Sequence, residues 1–291
     1  MATLLLDPGS SLYRALAALA ADARIVFLAG LPGTGKSLLV HQLAQLAHAR
    51  GRAVSLLQWD VARPVVEASD AARPFPARAG VTHGVVRIAV GRWARAAVAR
   101  WSAGHAGDGA LLIGETPLVG HRLIELARPA ADAAEPVLGD AGTRFVIPVP
   151  SREVRRHLEA ERERRAARPL HAREREDAPP EVLRDLWRQI ARVGGALGLA
   201  GASADDAPPA PYDPDLYAAV YRHVLRRRRA EVLRVDVVLD AGALSPYDVP
   251  VPAVDLRPEG DEVAGLVAAA ARDWSDPAAL QGELDGWYAT P

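Results

Sequence analysis

Residues 25–40, IVFLAGLPGTGKSLLV, constrain this chain more than any other stretch. The apolar run from Arg24 to Ala29 is followed at once by Gly30, four residues, and then Gly35-Lys36-Ser37, and residues 37–49 are good helix formers. The first part reads as a buried parallel strand and the last as a helix. A backbone that leaves a strand and re-enters a helix through so few residues needs the left-handed conformations that glycine reaches at no steric cost. Its N–H groups then face one concavity, backed by the positive end of the helix, and that arrangement holds phosphate. The expected contacts are Gly30, Pro32, Gly33, Thr34, Gly35, Lys36, Ser37 and Leu38, with Lys36 spanning the β- and γ-phosphates of a nucleotide and the Ser37 hydroxyl binding Mg²⁺.

Composition sharpens this. Among 35 lysines and arginines, Lys36 is the only lysine, so an ammonium was kept where a compact charge on a flexible stem is required. Asparagine is absent, which excludes a guanine-reading N-K-x-D motif and makes ATP the default donor. Without cysteine there is no disulfide framework, thiol nucleophile or cysteine zinc cluster, and a reducing cytoplasm is the simplest home. No pair of histidines has the spacing of a zinc site with a partner acid. The first residues lack the basic start and long apolar run of a signal peptide, and no stretch approaches the ~20 apolar residues of a membrane span, so no membrane association is expected. A net charge of −1 argues against broad nucleic-acid coating.

Further along, residues 53–60 read as a second strand ending in Asp60, residues 82–101 as a helix, residues 110–115 as a third strand ending in Glu115, and residues 143–149 as a fourth. Strands alternating with helices imply a parallel sheet covered on both faces, with ligands at the C-terminal ends of its strands. Residues 151–175 form a charge-dense helix with a narrow apolar stripe at Val154 and Leu158, and residues 180–197 form a second helix. Residues 200–214 suit a surface loop, a helix over 215–228 feeds a fifth strand over 231–239, and one amphipathic helix follows residue 261. The expected organisation is a nucleotide-binding core over 1–150, an arginine-rich helical lid over 151–200, and over 201–291 the last core helix and strand plus a C-terminal helical extension.

A phosphate loop near the N-terminus, an acid ending strand two and an arginine-rich hairpin after strand four resemble the P-loop NTPase superfamily, and within it the small P-loop kinases: nucleoside monophosphate kinases, chloramphenicol phosphotransferase, gluconate kinase, adenylylsulfate kinase and the zeta-type toxins. The resemblance covers residues 24–240, and the phosphate loop is its specific motif. It implies an α/β fold with a five-stranded parallel core and a mobile helical lid. Gln58-Trp59-Asp60-Val61-Ala62-Arg63-Pro64 is similar to the acid-plus-arginine corner such kinases set beside the acceptor. Asp60 is then the candidate base and Arg63 the acceptor-binding residue; a helix-capping Asp60 is the plain alternative. Glu115 stands where many P-loop proteins keep a magnesium-coordinating aspartate. Its roles remain open between Mg²⁺, water activation, acceptor contact and structure, and residues 116–122 are candidates to line the same pocket.

The nine arginines of the hairpin, Arg152, Arg155, Arg156, Arg162, Arg164, Arg165, Arg168, Arg173 and Arg175, suit a lid that brings guanidiniums to a transferring phosphoryl, with Arg156 and Arg164 as the candidates. Most of the others alternate with glutamates as a self-paired face. Trp59, Trp93, Trp101 and Tyr247 are candidate aromatic walls for an unidentified small-molecule or nucleotide acceptor. Arg226 to Arg229 either touch nucleic acid or close a helix. The functional expectation is an ATP- and Mg²⁺-dependent kinase, with a regulatory ATPase or a nucleic-acid-end kinase as alternatives.

Overall fold

Five of the apolar runs become strands, and every one of them points the same way. A computed structural model of the chain describes residues 4–78, 80–107, 109–171, 174, 180–199, 211–240, 242, 245 and 247–289. The elements are α1 (Ser11–Asp22), β1 (Ile25–Ala29), α2 (Lys36–His48), β2 (Val54–Gln58), α3 (Trp59–Glu67), α4 (Gly84–Gly104), β3 (Leu111–Thr116), α5 (Glu135–Leu138), β4 (Thr143–Pro150), α6 (Arg152–Ala167), α7 (Pro180–Ala196), α8 (Pro214–Val224), β5 (Ala230–Val235), β6 (Ala253–Asp255), α9 (Gly260–Asp273) and α10 (Pro277–Asp285).

The strands form one six-stranded sheet in the order β5-β4-β1-β3-β2-β6, all pairs parallel. The architecture is therefore α/β, and the expected five-stranded sheet is corrected to six. The extra strand is three residues long and pairs Val54 to Leu56 with Ala253 to Asp255 on the open edge of β2. A segment that short carries no periodicity of its own; it is a strand because an edge was there to pair with.

Alternation along the strands sends side chains to two separate cores. Val26, Leu28, Leu56, Ile113 and Val146 pack under α1 and α2. Ile25, Phe27, Leu57, Leu112, Phe145 and Ile147 pack under α4, α7, α8 and α9. Gly114 lies under this second layer because a Cβ there would come 2.2 Å from the Phe27 ring.

The structure also corrects several boundaries. Strand two stops at Gln58, so Trp59 and Asp60 belong to the first turn of α3. The helix expected over 215–228 ends at Val224, and the strand after it ends at Val235. The C-terminal region holds two helices where one was expected, because Pro277 starts a new helix capped by Asp276. Residues 200–210 of the expected loop, and Arg173, Arg175 and Glu176 of the hairpin, lie outside the described residues.

Chain direction reverses beside β1. The path leaves β1 toward β2 on one side, and leaves β3 toward β4 on the other, so a crevice opens at the C-terminal ends of β1 and β3. The Gly30 to Ser37 loop follows β1 there, and Glu115 sits at the end of β3 in register with Leu28 and Gln58.

Candidate functional site

The glycine loop takes the conformation its sequence requires. Gly33 has φ 74° and Gly35 φ 81°, both left-handed. Gly35 is also the N-cap of α2 and offers no side-chain acceptor, so the first N–H groups of that helix face the loop uncapped by any side chain. Gly30 is glycine for a different reason: a Cβ there would come 2.3 Å from the Tyr217 hydroxyl and 3.3 Å from the Thr34 hydroxyl. The Tyr217 oxygen accepts the Leu31 N–H at 3.1 Å, and Gly30 N–H donates to the Thr116 carbonyl at 3.1 Å.

Lys36 is 4% exposed, donates to the Leu31 carbonyl at 2.8 Å and lies 3.7 Å from Glu115 Oε1. Burial pulls its pKa below the usual lysine range. Glu115 and Asp60 oppose that pull, and Arg162 and Arg155 add to it. The Ser37 hydroxyl donates to Glu115 Oε1 at 3.1 Å. Lysine, hydroxyl and carboxylate thus converge at the crevice.

A cavity of about 280 Å³ opens on this group. The loop supplies Pro32, Gly33, Gly35, Lys36, Ser37 and Leu38; the strand ends supply Gln58, Trp59, Asp60, Glu115 and Pro117; α6 supplies His157, Leu158, Glu161, Arg162, Arg164 and Arg165; and the segment after β5 supplies Leu239, Asp240, Gly242 and Tyr247. Asp60, expected as a base or a cap, is exposed and faces the cavity. The cap position of α3 is Gln58, not Asp60, and its side chain makes no capping bond.

The remaining expected residues divide. Arg164 lines the cavity and pairs with Glu161. Arg156 does not; it borders a separate surface depression with Arg152, Asp213 and Asp215. Helix geometry explains why Arg156 is excluded: Leu158, Glu161, Arg162 and Arg165 share the cavity-facing side of α6, and Arg156, two residues before Leu158, is turned about 200° from it. Arg63 does not line the cavity either and is paired with Glu67 at 2.5 Å. Of the aromatic candidates, Trp59 and Tyr247 reach the cavity, whereas Trp93 is fully buried in the core and Trp101 stacks on His105. In the run from Arg226, Arg228 is buried and bonded to Glu135 and to two carbonyls, so it belongs to the fold.

Two contributions went unread in the sequence. Arg155, buried in α6, donates to the Pro32 and Gly33 carbonyls at 3.2 and 3.1 Å, bonds Glu159 at 2.6 Å and lies over the Tyr212 ring, clamping the loop from outside. Tyr217 and Tyr221, one turn apart on α8, brace the loop and the end of β3; the Tyr221 hydroxyl donates to the Pro117 carbonyl at 2.8 Å. Their i,i+4 spacing was the available signal, though spacing alone does not say what a buried tyrosine hydroxyl meets.

Among the described residues no group of three or more histidine, aspartate or glutamate side chains is placed to hold a metal, and no helix is long and apolar enough to cross a membrane. No protein-family model matches the chain, and neither a curated protein nor a solved structure shows significant similarity to it.

Proposed function

We propose that this chain is an ATP-dependent phosphotransferase of the P-loop kinase kind, moving the γ-phosphoryl of Mg-ATP to an oxygen of a small molecule or nucleotide. The observation that carries the reading is the single cavity in which Lys36, Ser37, Glu115, Asp60 and the arginines of α6 meet. Positioning and charge stabilisation are nearly all that phosphoryl transfer asks of a protein.

The glycine loop fits a chain of phosphates: two left-handed glycines, an uncapped helix N-terminus and one lysine on a flexible stem. Ser37 Oγ and Glu115 Oε1, 3.1 Å apart, fit Mg²⁺, which takes one or two protein oxygens and keeps most of its waters. Ser37 and Glu115 would hold the ion, which would supply charge neutralisation to the nucleotide's phosphates. Asp60 orients the acceptor and takes its proton as the new O–P bond forms and the bond to the ADP oxygen breaks. Arg162, Arg164 and Arg165 stabilise the charge spread over the phosphoryl oxygens. Pure hydrolysis would need neither a second carboxylate beyond β2 nor the space beside it.

The test is ATP turnover across a panel of acceptors, with Lys36→Arg and Asp60→Asn alongside wild type. Turnover should rise with one acceptor class. Lys36→Arg should lose about 10²–10³-fold or more, because a planar fork does not replace a point charge between phosphates. Asp60→Asn should lose about 10²-fold or more in transfer with little change in ATP affinity. Turnover indifferent to every acceptor would make the chain an ATPase and overturn the proposal.

A further inference from the structure

The loop that leaves β3 is strained. Leu118, His121 and Leu123 all have φ near 60° without being glycine, and Gly120 among them has φ 63°. Strain of this kind persists where surrounding structure enforces it, often at a working site. Here it is enforced by the Leu118 N–H bonding the Arg122 carbonyl at 2.9 Å and by Tyr221 on the Pro117 carbonyl.

What the strained loop positions is positive charge. The point where a Gly120 Cβ would stand is 3.5 Å from Arg122 Nη1, 3.9 Å from Arg87 Nη1 and 4.0 Å from Gln189 Oε1. Arg87 is fixed by bonds to the Thr82 and Gly120 carbonyls, both 2.8 Å, and Arg122 donates to the Val119 carbonyl at 3.3 Å. Both are half-buried. Neither has a carboxylate at ion-pair distance among the described residues; Arg63, the third guanidinium nearby, has its own in Glu67. Burial and the neighbouring Arg122 hold Arg87 down to about 10, and burial lowers Arg122. Two adjacent guanidiniums held half out of water with no carboxylate at ion-pair distance among the described residues are costly unless an anion joins them. The strongest charge acting on Arg122 is Asp60, the carboxylate that lines the cavity and also acts on Lys36.

We propose that Arg87 and Arg122, converging at Gly120 near Asp60, seat a phosphate monoester group on the acceptor. The acceptor then arrives already phosphorylated, anchored through that group while another of its oxygens faces Asp60. This rests on the phosphotransferase reading for the word acceptor, but the anion seat itself does not need ATP. A phosphate monoester matches two guanidiniums better than a carboxylate, since it brings up to two charges and three acceptor oxygens.

Inorganic phosphate is the probe, titrated by NMR into the full chain carrying Lys36→Met, which silences the glycine loop and keeps the stem. Amide shifts of residues 117–123 should saturate, and Arg122→Gln or Arg87→Gln should weaken the binding about tenfold to a hundredfold. Arg122→Lys and Arg87→Lys keep the charge, so they should fold wherever the glutamine variants do not, and they should weaken phosphate through loss of the fork. Acetate should bind at least tenfold more weakly than phosphate. Absence of shifts at 117–123, equal affinity for acetate, or phosphate affinity unchanged in all four arginine variants would overturn the seat. Failure of the phosphotransferase reading would appear elsewhere, as ATP turnover indifferent to acceptor in the wild type.

Discussion

At the scale of single residues, the site is built by close approach. Gly30 lets the Tyr217 hydroxyl come near enough to accept the Leu31 N–H, and Tyr217 is itself fully buried between Tyr212 and Tyr221. Gly30→Ala should therefore destabilise the chain by about 1–3 kcal/mol through overpacking. Tyr217→Phe alone should cost about 1 kcal/mol by leaving the Leu31 N–H unpaired. Combined, the two should cost clearly less than their sum, since the phenylalanine removes the atom that the new methyl meets. Urea denaturation of the four proteins measures this directly, and simple additivity would contradict the contact.

At the scale of elements, the two hairpin helices are held very differently. In α7, Leu183, Leu186, Trp187, Ile190 and Val193 are buried, and at about 1.5–3 kcal/mol for each large apolar side chain the helix is fixed to the main core. In α6 only Val154 and Arg155 are buried, both in the first turn. The expectation of a hairpin loose along its whole length is thus corrected: α7 is part of the core, and the weakly packed part is the outer end of α6. Among the described residues, the contacts that tether that end include Arg165 to Glu174 at 3.1 Å and Glu174 to the Ser245 hydroxyl at 2.8 Å. Hydrogen exchange should find residues 159–167 fast in the free protein and slowed by a non-hydrolysable ATP analogue with Mg²⁺, while residues 183–193 stay protected in both states. Equal protection of the two helices without nucleotide would show that α6 does not respond to a ligand.

Across the whole molecule, the C-terminal third is woven into the sheet rather than appended to it. It supplies both edges, β5 beside β4 and β6 beside β2, and α9 is bridged to α4 by Arg100–Glu262 and Arg92–Asp273. Helix α10 is tied to the turn after β3, where Glu283 accepts from His121 at 2.9 Å and also pairs with Arg128. Beneath that tie lies Glu125, with both carboxyl oxygens buried and without a hydrogen bond and with Oε1 3.5 Å from His121 Nδ1, in space left by Gly91 of α4. Burial raises its pKa to about 8 from an ordinary 4.5, although Arg128 and Arg92 pull the other way. Between those two values the folded chain holds a proton that the unfolded chain has released. The stabilisation is complete below about pH 4.5 and is lost as pH rises through 8, by up to about 1.4 kcal/mol per unit. Glu125→Gln, neutral at every pH, should flatten stability measured from pH 5 to 8. An unchanged slope would place the proton elsewhere.

The conformation of the glycine loop was legible because it is local: strand, glycines, lysine and hydroxyl follow one another within thirteen residues, and backbone sterics alone fix how they turn. The parallel α/β sheet was legible too, since apolar runs alternating with helices have few other ways to bury both faces. The two acids near the strand ends were legible for the same reason, although Asp60 stands two residues past β2 in the first turn of α3 and Glu115 one residue before the end of β3. What lies across the chain was not. Arg155 was indistinguishable from Arg156 until α6 docked and turned one inward, and Arg63 found Glu67 one turn away. Arg87 and Arg122 are more than thirty residues apart in sequence and meet only because the loop after β3 folds against the start of α4. Three residues at 253–255 became a strand only because β2 had an open edge. The sequence determines its local conformations by sterics and periodicity, whereas partners distant along the chain are chosen by packing, which no short window contains.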